Sequence, residues 1–180
     1  MRIKPLALSL LVATTALFSP VLSSVFAEDK STSLVANGDF EGQGGWALAK
    51  AQIVEEDGKH FLRLQATEPN VQIQAHQRIT LSGEPKKLTL KFRFRHDTIQ
   101  AGAQNWHDGR LLVHFKNTAG EILKPDPKPI AFRGSSVEWS EKVVELPVPE
   151  ASATVEILFG LFQTTSGTLE VDDVTLTPSE

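Results

Sequence analysis

The fold is decided by residues 154–163, which read TVEILFGLFQ, and by residues 168–177, which read TLEVDDVTLT after a short turn. Apolar and polar residues alternate in both segments, which is the period of a β-strand with one buried face. The second segment carries two adjacent carboxylates, Asp172 and Asp173, in its middle. Carboxylates inside an apolar strand cost free energy unless a partner offsets their desolvation, so this pair favours a bound cation.

The same alternation predicts strands through the rest of the chain. It is cleanest in Leu88–Arg95 and recurs in Val71–Leu81 and Arg110–Phe115. The dipeptide Asp57-Gly58 lies between two apolar runs and predicts a tight hairpin turn. No segment after residue 27 keeps a helical period for ten residues. We therefore predict an all-β protein, an antiparallel β-sandwich of the jelly-roll type.

The first 27 residues have the features of a signal peptide. Arg2 and Lys4 give a positive start, an apolar run follows, and Val25-Phe26-Ala27 fits a small-residue cleavage site. The run is too short for a comfortable membrane span, which takes about 20 residues. We expect cleavage after Ala27 and a secreted or periplasmic protein, in which residues 28–180 form a single domain. An uncleaved membrane anchor is the alternative.

Composition narrows the classes of partner. The chain has no cysteine, which excludes disulfides and thiolate metal sites. Its net charge is −4, and removal of the leader with Arg2 and Lys4 takes it to −6. An acidic domain is a poor partner for nucleic acid or an anionic membrane, so we expect neither. A neutral ligand or a cation suits it better, and we expect a monomer.

Short motifs at both ends of the domain resemble a known family. They are Asn37-Gly38-Asp39-Phe40-Glu41 with Gly45-Trp46, Trp139 before a strand that ends in Pro147-Val148-Pro149, and Val171–Leu176. In order and spacing these motifs resemble the jelly-roll carbohydrate-binding modules of the family 4, 9, 16 and 22 type, which have a galactose-binding-like fold. The segment from Trp106 to Pro125 is also similar to modules attached to secreted bacterial glycoside hydrolases. The resemblance implies non-catalytic binding of a polysaccharide or cell-surface glycan.

The resemblance also implies a structural calcium ion near the two ends of the domain. Glu41 and Asp172 match the acidic ligands of the family, and backbone oxygens around Gly38 and Asp39 would complete the shell. Calcium takes about six to eight oxygen ligands, which often come from distant segments. The alternative is that the acidic pair of the last strand lies at an edge or a bulge in water.

A glycan-binding surface needs a flat aromatic ring for the sugar and planar polar groups for its hydroxyls. Trp106 lies in a polar loop, residues 98–109, and is the aromatic candidate, although it could instead anchor the loop on the sandwich. The other candidates face away from the apolar residues of their strands or end the penultimate strand. They are Gln72, Gln74, Arg93, Arg95, His114, Phe162 and Gln163. If these strands are neighbours, the residues form one polar surface, whose alternative is an ordinary solvated face.

Catalytic motifs are missing from the sequence. It has no nucleophile elbow, no zinc-protease motif and no phosphate loop. The dipeptides His96-Asp97 and His107-Asp108 point their side chains to opposite faces if they lie on strands, so each makes a poor metal site. We therefore expect no enzyme. The alternatives are a protein-binding or structural envelope module without sugar affinity and, less favoured, a small glycan hydrolase.

Overall fold

The protein is described by a computed structural model over residues 32–179, which form ten β-strands and no helix. The predicted leader and its cleavage site lie outside these residues. The strands, in chain order, are β1 (Ala47–Ala49), β2 (Gln52–Glu56), β3 (Lys59–Ala66), β4 (Val71–Thr80), β5 (Lys87–Gln100), β6 (Gly109–Lys116), β7 (Ile130–Phe132), β8 (Gly134–Pro147), β9 (Thr154–Thr164) and β10 (Ser166–Ser179).

The strands form two five-stranded sheets. Sheet A has the order β1-β4-β9-β6-β7, and sheet B has the order β2-β3-β10-β5-β8. All pairings between these strands are antiparallel. The predicted fold class, an antiparallel jelly-roll sandwich, is confirmed. Nothing in residues 32–179 has the helical length and hydropathy of a bilayer-spanning segment.

The core lies between the sheets and is built by the alternation that the sequence shows. In β5 the side chains of Leu88, Leu90 and Phe92 are fully buried. In β9 Phe159 and Leu161 are equally inaccessible, and the Phe92 and Phe159 rings meet edge to face at 5.3 Å. Two apolar faces that exclude water from each other in this way supply most of the free energy of folding.

The predicted hairpin turn joins β2 to β3. Asp57 and Gly58 both have positive φ, +53° and +75°, which is the backbone of a two-residue turn between twisted strands. A residue without a side chain adopts this conformation without strain, which explains the glycine.

The N-terminal segment, residues 33–46, docks against the end of β10. The amide of Val174 donates to the Gly38 carbonyl at 2.8 Å, and the Leu34 amide donates to Leu176 at the same distance. A Cβ on Gly38 would lie 1.9 Å from the Val174 carbonyl oxygen, so only glycine permits this approach. Trp46 is buried and its indole donates to the Asn37 carbonyl at 3.1 Å. The docking brings residues 38–41 beside the acidic pair of β10.

Candidate functional site

The outward face of sheet A is the first candidate surface. We call it the A face and define it by the outward residues of β4, β9 and β6. The registers place these residues in rows across the three strands: Gln72 with Phe162; Gln74 with Gly160 and Arg110; His76 with Leu158 and Leu112; Arg78 with Glu156 and His114. Amides, an aromatic ring and apolar side chains therefore share one flat surface.

A ring lies over the middle of the A face. A Cβ on Gly160 would come within 2.6 Å of the Phe162 ring, so the ring occupies the space above that glycine. Gly160 pairs with Gln74 on one side and Arg110 on the other. The ring therefore lies over a row that also carries Gln74 and Arg110 on the two neighbouring strands, and a mixture of apolar and polar groups of this kind suits a sugar ring.

The loop of residues 101–108 joins the end of the A face. The Phe162 amide donates to the Asp108 carbonyl at 3.0 Å, and the Gly102 amide closes the loop on His107 at 2.7 Å. A Cβ on Gly102 would lie 2.2 Å from the Gln163 carbonyl oxygen, which places this loop against the end of β9. Trp106, at the tip, is 54% exposed. The alternative of a tryptophan tucked onto the sandwich is therefore wrong.

A buried carboxylate holds the loop in place. Asp108 has no exposed surface and accepts hydrogen bonds from Arg110 and from Arg133, whose Nε lies 2.7 Å from Oδ2. The Nη2 groups of the two arginines also donate to the Asn105 carbonyl, at 3.0 Å and 2.5 Å. We call this arrangement of Asn105, Asp108, Arg110 and Arg133 the loop clamp. It fixes the residue before Trp106, so the exposed indole is presented on a rigid support.

Charges gather at the other end of the A face. Glu156 is nearly buried and accepts from Lys116, while Arg78 Nη2 lies 3.6 Å from its other oxygen. Burial raises the pKa of Glu156, but the hydrogen bond from Lys116 and the charges of both cations outweigh it and lower the pKa below its usual value. His114 Nδ1 lies 2.9 Å from Asp126 Oδ1, so its ring is held toward the edge of the sheet.

Arg93 and Arg95 lie on the outward face of sheet B, across the sandwich from Gln74 and His114. Their guanidinium groups are taken up there: Arg93 Nη1 lies 3.3 Å from Asp173, and Arg95 binds Glu170 and Glu56. The prediction that one surface joins these arginines to the glutamines is therefore wrong. Alternation fixes which face of a strand a residue occupies, but it does not fix the sheet.

Trp139 lies beside these arginines. The guanidinium carbons of Arg93 and Arg95 are 5.1 Å and 4.7 Å from its ring centre, and its ring meets the Phe61 ring edge to face at 5.4 Å. Phe61 is buried although it faces outward, because Trp139, Arg63 and Arg95 cover it. Trp139 thus packs against Phe61 and the arginines on the outer face of sheet B.

Four of the remaining predicted residues lie near one another: Gln72, Gln74 and Phe162 share the A face, and Gln163 lies one residue before the end of β9, next to the Trp106 loop. His114 lies on the same face but at its other end, in the row of Glu156, and is bound to Asp126. The sequence reasoning did not propose Asp108, Arg110 or Arg133 for the binding site. Arg110 could have been identified from the sequence, because it faces outward in an alternating strand. Arg133 could not, because it lies in a segment without an alternating pattern.

Three of the four predicted metal ligands, Asp39, Glu41 and Asp172, line a hollow on the sheet B side, which we call the acidic hollow and whose volume is about 490 Å³. Its wall holds six carboxylates and three cations: Asp39, Glu41, Glu56, Asp57, Asp172 and Asp173, with Lys59, Arg93 and Arg95. Burial raises the pKa of Asp172, and the neighbouring charges of Asp173 and Glu41 raise it further. The hydrogen bond from the Asp173 amide and the charge of Arg93 lower this pKa, but they do not outweigh the other effects. A carboxylate in this position would gain from a cation, so the donor chemistry fits calcium.

The hollow is not a preassembled cage. Within residues 32–179 no group of three or more His, Asp or Glu side chains is placed to hold an ion. The Glu41 carboxylate accepts from the His60 amide at 3.1 Å and lies 2.7 Å from His60 Nδ1, which lowers its pKa. The Gly38 carbonyl accepts from Val174. An ion would therefore have to draw Glu41 away from His60.

The chain is similar to known proteins in structure but matches none of them in sequence. No protein-family model and no curated sequence matches the chain. Among solved structures, it is similar to the enzymatically active domain of tailspike protein 4 from bacteriophage CBA120, with a TM-score of 0.62 and 16% identity over 81% of this chain. The match spans only 21% of that chain.

Two further structures match over their whole length. One is TmCBM61 in complex with β-1,4-galactotriose, with a TM-score of 0.57, 12% identity, and coverage of 83% of this chain and all of that one. The other is a family 16 carbohydrate-binding module, with a TM-score of 0.54, 18% identity, and coverage of 80% and 99%. The fold is that of the jelly-roll carbohydrate-binding modules. The resemblance seen in the sequence motifs is thereby confirmed for the fold, and identities this low carry nothing further.

Proposed function

We propose that this chain is a non-catalytic module that binds a polysaccharide or cell-surface glycan on the A face. The observation that carries the proposal is Trp106, a large aromatic side chain that is 54% exposed on a clamped loop beside an amide-rich surface. Exposed indoles are unfavourable in water and suit the apolar face of a pyranose. The fold shared with carbohydrate-binding modules supports the same function.

The sugar chain would stack on Trp106 and continue onto the A face. The amides of Gln72 and Gln74 each offer a donor and an acceptor to hydroxyl groups, and Gln163 does the same at the end of β9. Phe162 would cover the apolar side of a second sugar unit. Because the loop clamp already fixes the loop, little conformational entropy is lost on binding.

Isothermal titration against galacto-, xylo- and cello-oligosaccharides tests this proposal. Trp106→Ala should lower the affinity of a bound oligosaccharide about five- to thirtyfold, because stacking contributes roughly 1–2 kcal/mol. Val137→Ala removes an exposed apolar side chain from β8 in the opposite sheet and is the matched control. Arg93→Gln should also leave affinity unchanged. Unchanged affinity in Trp106→Ala, with an unchanged melting temperature, would refute the site.

A protein-binding or envelope-structural role is the second candidate. The chain has no tyrosine, and Trp106 is the one exposed tryptophan within residues 32–179, so aromatic platforms are scarce. A glycan array separates the two functions. Discrete hits support the first candidate, whereas silence across plant and bacterial glycans supports the second.

The non-catalytic assignment rests on Glu156, the carboxylate of the A face, and on Asp126, which lies beside that face in the segment between β6 and β7. A glycosidase needs a pair of carboxyl groups about 5 to 9 Å apart with room for the scissile bond between them. Glu156 is held by Lys116, and Asp126 is held by His114 and Lys124. We expect no release of reducing sugar on prolonged incubation with any polysaccharide that binds, and measurable turnover would contradict the assignment.

A structural calcium ion in the acidic hollow is part of the proposal. Asp172 and Glu41 would be its carboxylate ligands, with oxygens of Asp39 and Gly38. A ligand that binds only the folded state stabilises it by mass action. Calorimetric melting should therefore show a lower midpoint in EDTA than in 1 mM calcium, by a few degrees for about 1 kcal/mol. Identical midpoints would discard the ion.

The chain is further proposed to be exported and monomeric, and each property has a simple test. Intact-mass spectrometry of the protein from its native host should give a chain that begins at Glu28 if cleavage follows Ala27. Light scattering should give the mass of one such chain. A retained leader would favour the anchored alternative.

A further inference from the structure

The two outer faces of the sandwich differ in charge. The strands of sheet A contain Arg78, Arg110 and Lys116 but a single carboxylate, Glu156. The strands of sheet B contain nine carboxylates and seven Lys or Arg residues. In a chain of net charge −4, the A face is thus the basic side. A basic surface of this kind attracts anionic ligands, whereas the excess of carboxylates on sheet B repels them.

The excess of positive charge is local to Trp106. Arg110 and Arg133 share the one carboxylate of Asp108, so the loop clamp keeps one uncompensated positive charge. The Asp108 carboxylate is completely buried, whereas the Arg133 side chain is 52% exposed. The negative charge therefore faces the protein, whereas Arg133, which lies between β7 and β8 and donates to the Asn105 carbonyl, is exposed to solvent beside the loop that carries the indole.

Hydrogen-bonding capacity remains on both arginines. Each uses Nε and Nη2 for Asp108 and Asn105. In the part of the chain that the structure describes, Nη1 of neither arginine contacts an acceptor. A guanidinium held in one orientation by a buried carboxylate presents its Nη1 N–H groups in a fixed direction, so each arginine can still donate a charge-assisted hydrogen bond to a carboxylate or sulfate oxygen.

From these observations we infer that the glycan bound at Trp106 is acidic, and that the arginines of the loop clamp read a carboxylate or sulfate group on the sugar that stacks there. Uronic acid residues are the simplest ligands of this class. The inference rests on the proposed function and names the ligand class of the same site.

The test compares pairs of oligosaccharides that differ only in charge. Trigalacturonate should bind at least about tenfold more tightly than galactotriose, because one charge-assisted hydrogen bond contributes on this order. The preference should weaken between 50 and 500 mM NaCl, as it does for solvent-accessible charges. A sulfated galactan oligosaccharide in parallel distinguishes a carboxylate from a sulfate.

Variants assign the effect to the loop clamp. Arg133→Gln should remove most of the preference for trigalacturonate and leave galactotriose binding unchanged, while Arg133→Lys should retain part of it. Arg93→Gln, an arginine on sheet B, is the matched control and should change neither. Melting curves of each variant check that the fold is retained. We expect it to be, because Asp108 keeps its bond to Arg110 when Arg133 is replaced.

Each outcome decides the inference. Equal binding of both oligosaccharides, with Trp106→Ala abolishing both, overturns the acidic ligand and leaves the proposed function intact. Binding of acidic oligosaccharides that does not depend on Trp106 is non-specific attraction and also overturns it. Binding of neither class, across the neutral panel as well, removes both the proposed function and the inference.

Discussion

At the scale of single residues, Gly38 shows how one position joins the two ends of the domain. Its carbonyl accepts from Val174, and the space where a Cβ would lie is filled by backbone. The resemblance to carbohydrate-binding modules gave this residue a role as a calcium ligand. The contact with Val174 supplies a sufficient reason for a glycine there, with or without an ion.

Gly38→Ala is therefore expected to destabilise the fold by more than about 2 kcal/mol, since the clash is with backbone that cannot rotate away. Urea unfolding measures the change. Gly42→Ala is the matched control, because the nearest atom to its Cβ is the Asn37 side-chain oxygen at 3.1 Å. If both variants unfold at the same midpoint, the close approach of residues 33–38 to β10 is wrong.

Glu156 gives the A face a pH dependence. Its pKa is lowered in the folded state, so its ion pair with Lys116 contributes stability above the unfolded value of 4.5 and loses it as pH falls through the folded pKa. Glu156→Gln should cost about 1 kcal/mol at pH 7. It should also make stability change less between pH 5 and pH 3, as measured by urea unfolding. An unchanged acid limb would contradict the pairing.

At the scale of elements, the conformation of the loop of residues 101–108 depends on the carboxylate of Asp108, two residues after Trp106. Asp108→Asn keeps the shape of the side chain but removes the charge that holds Arg110 and Arg133. We expect a loss of about 1–3 kcal/mol in stability. Amide hydrogen exchange within residues 101–108 should become faster while exchange in β5 stays slow. Unaltered exchange in the loop would show that the loop clamp does not hold Trp106.

At the scale of the whole molecule, alternation predicted most of the long strands and the sandwich, because burial on one face imposes a period of two on the sequence. The three-residue strands β1 and β7 are too short to show that period. Alternation could not predict the pairing of β5 with β10, on which the place of Arg93 depends. The loop clamp was equally hidden, since Asp108 and Arg133 are 25 residues apart and meet only through the fold. The exposure of Trp106 likewise follows from the fold and not from its neighbours in sequence.

The most direct test of a glycan site on the A face is a nuclear magnetic resonance titration of the ¹⁵N-labelled protein with the oligosaccharide of the panel that binds most tightly. We predict shift changes at the Trp106 indole, at the side-chain amides of Gln72 and Gln74 and along residues 101–108, and none around Trp139 and Arg95. Changes confined to the outward face of sheet B would contradict a glycan site on the A face.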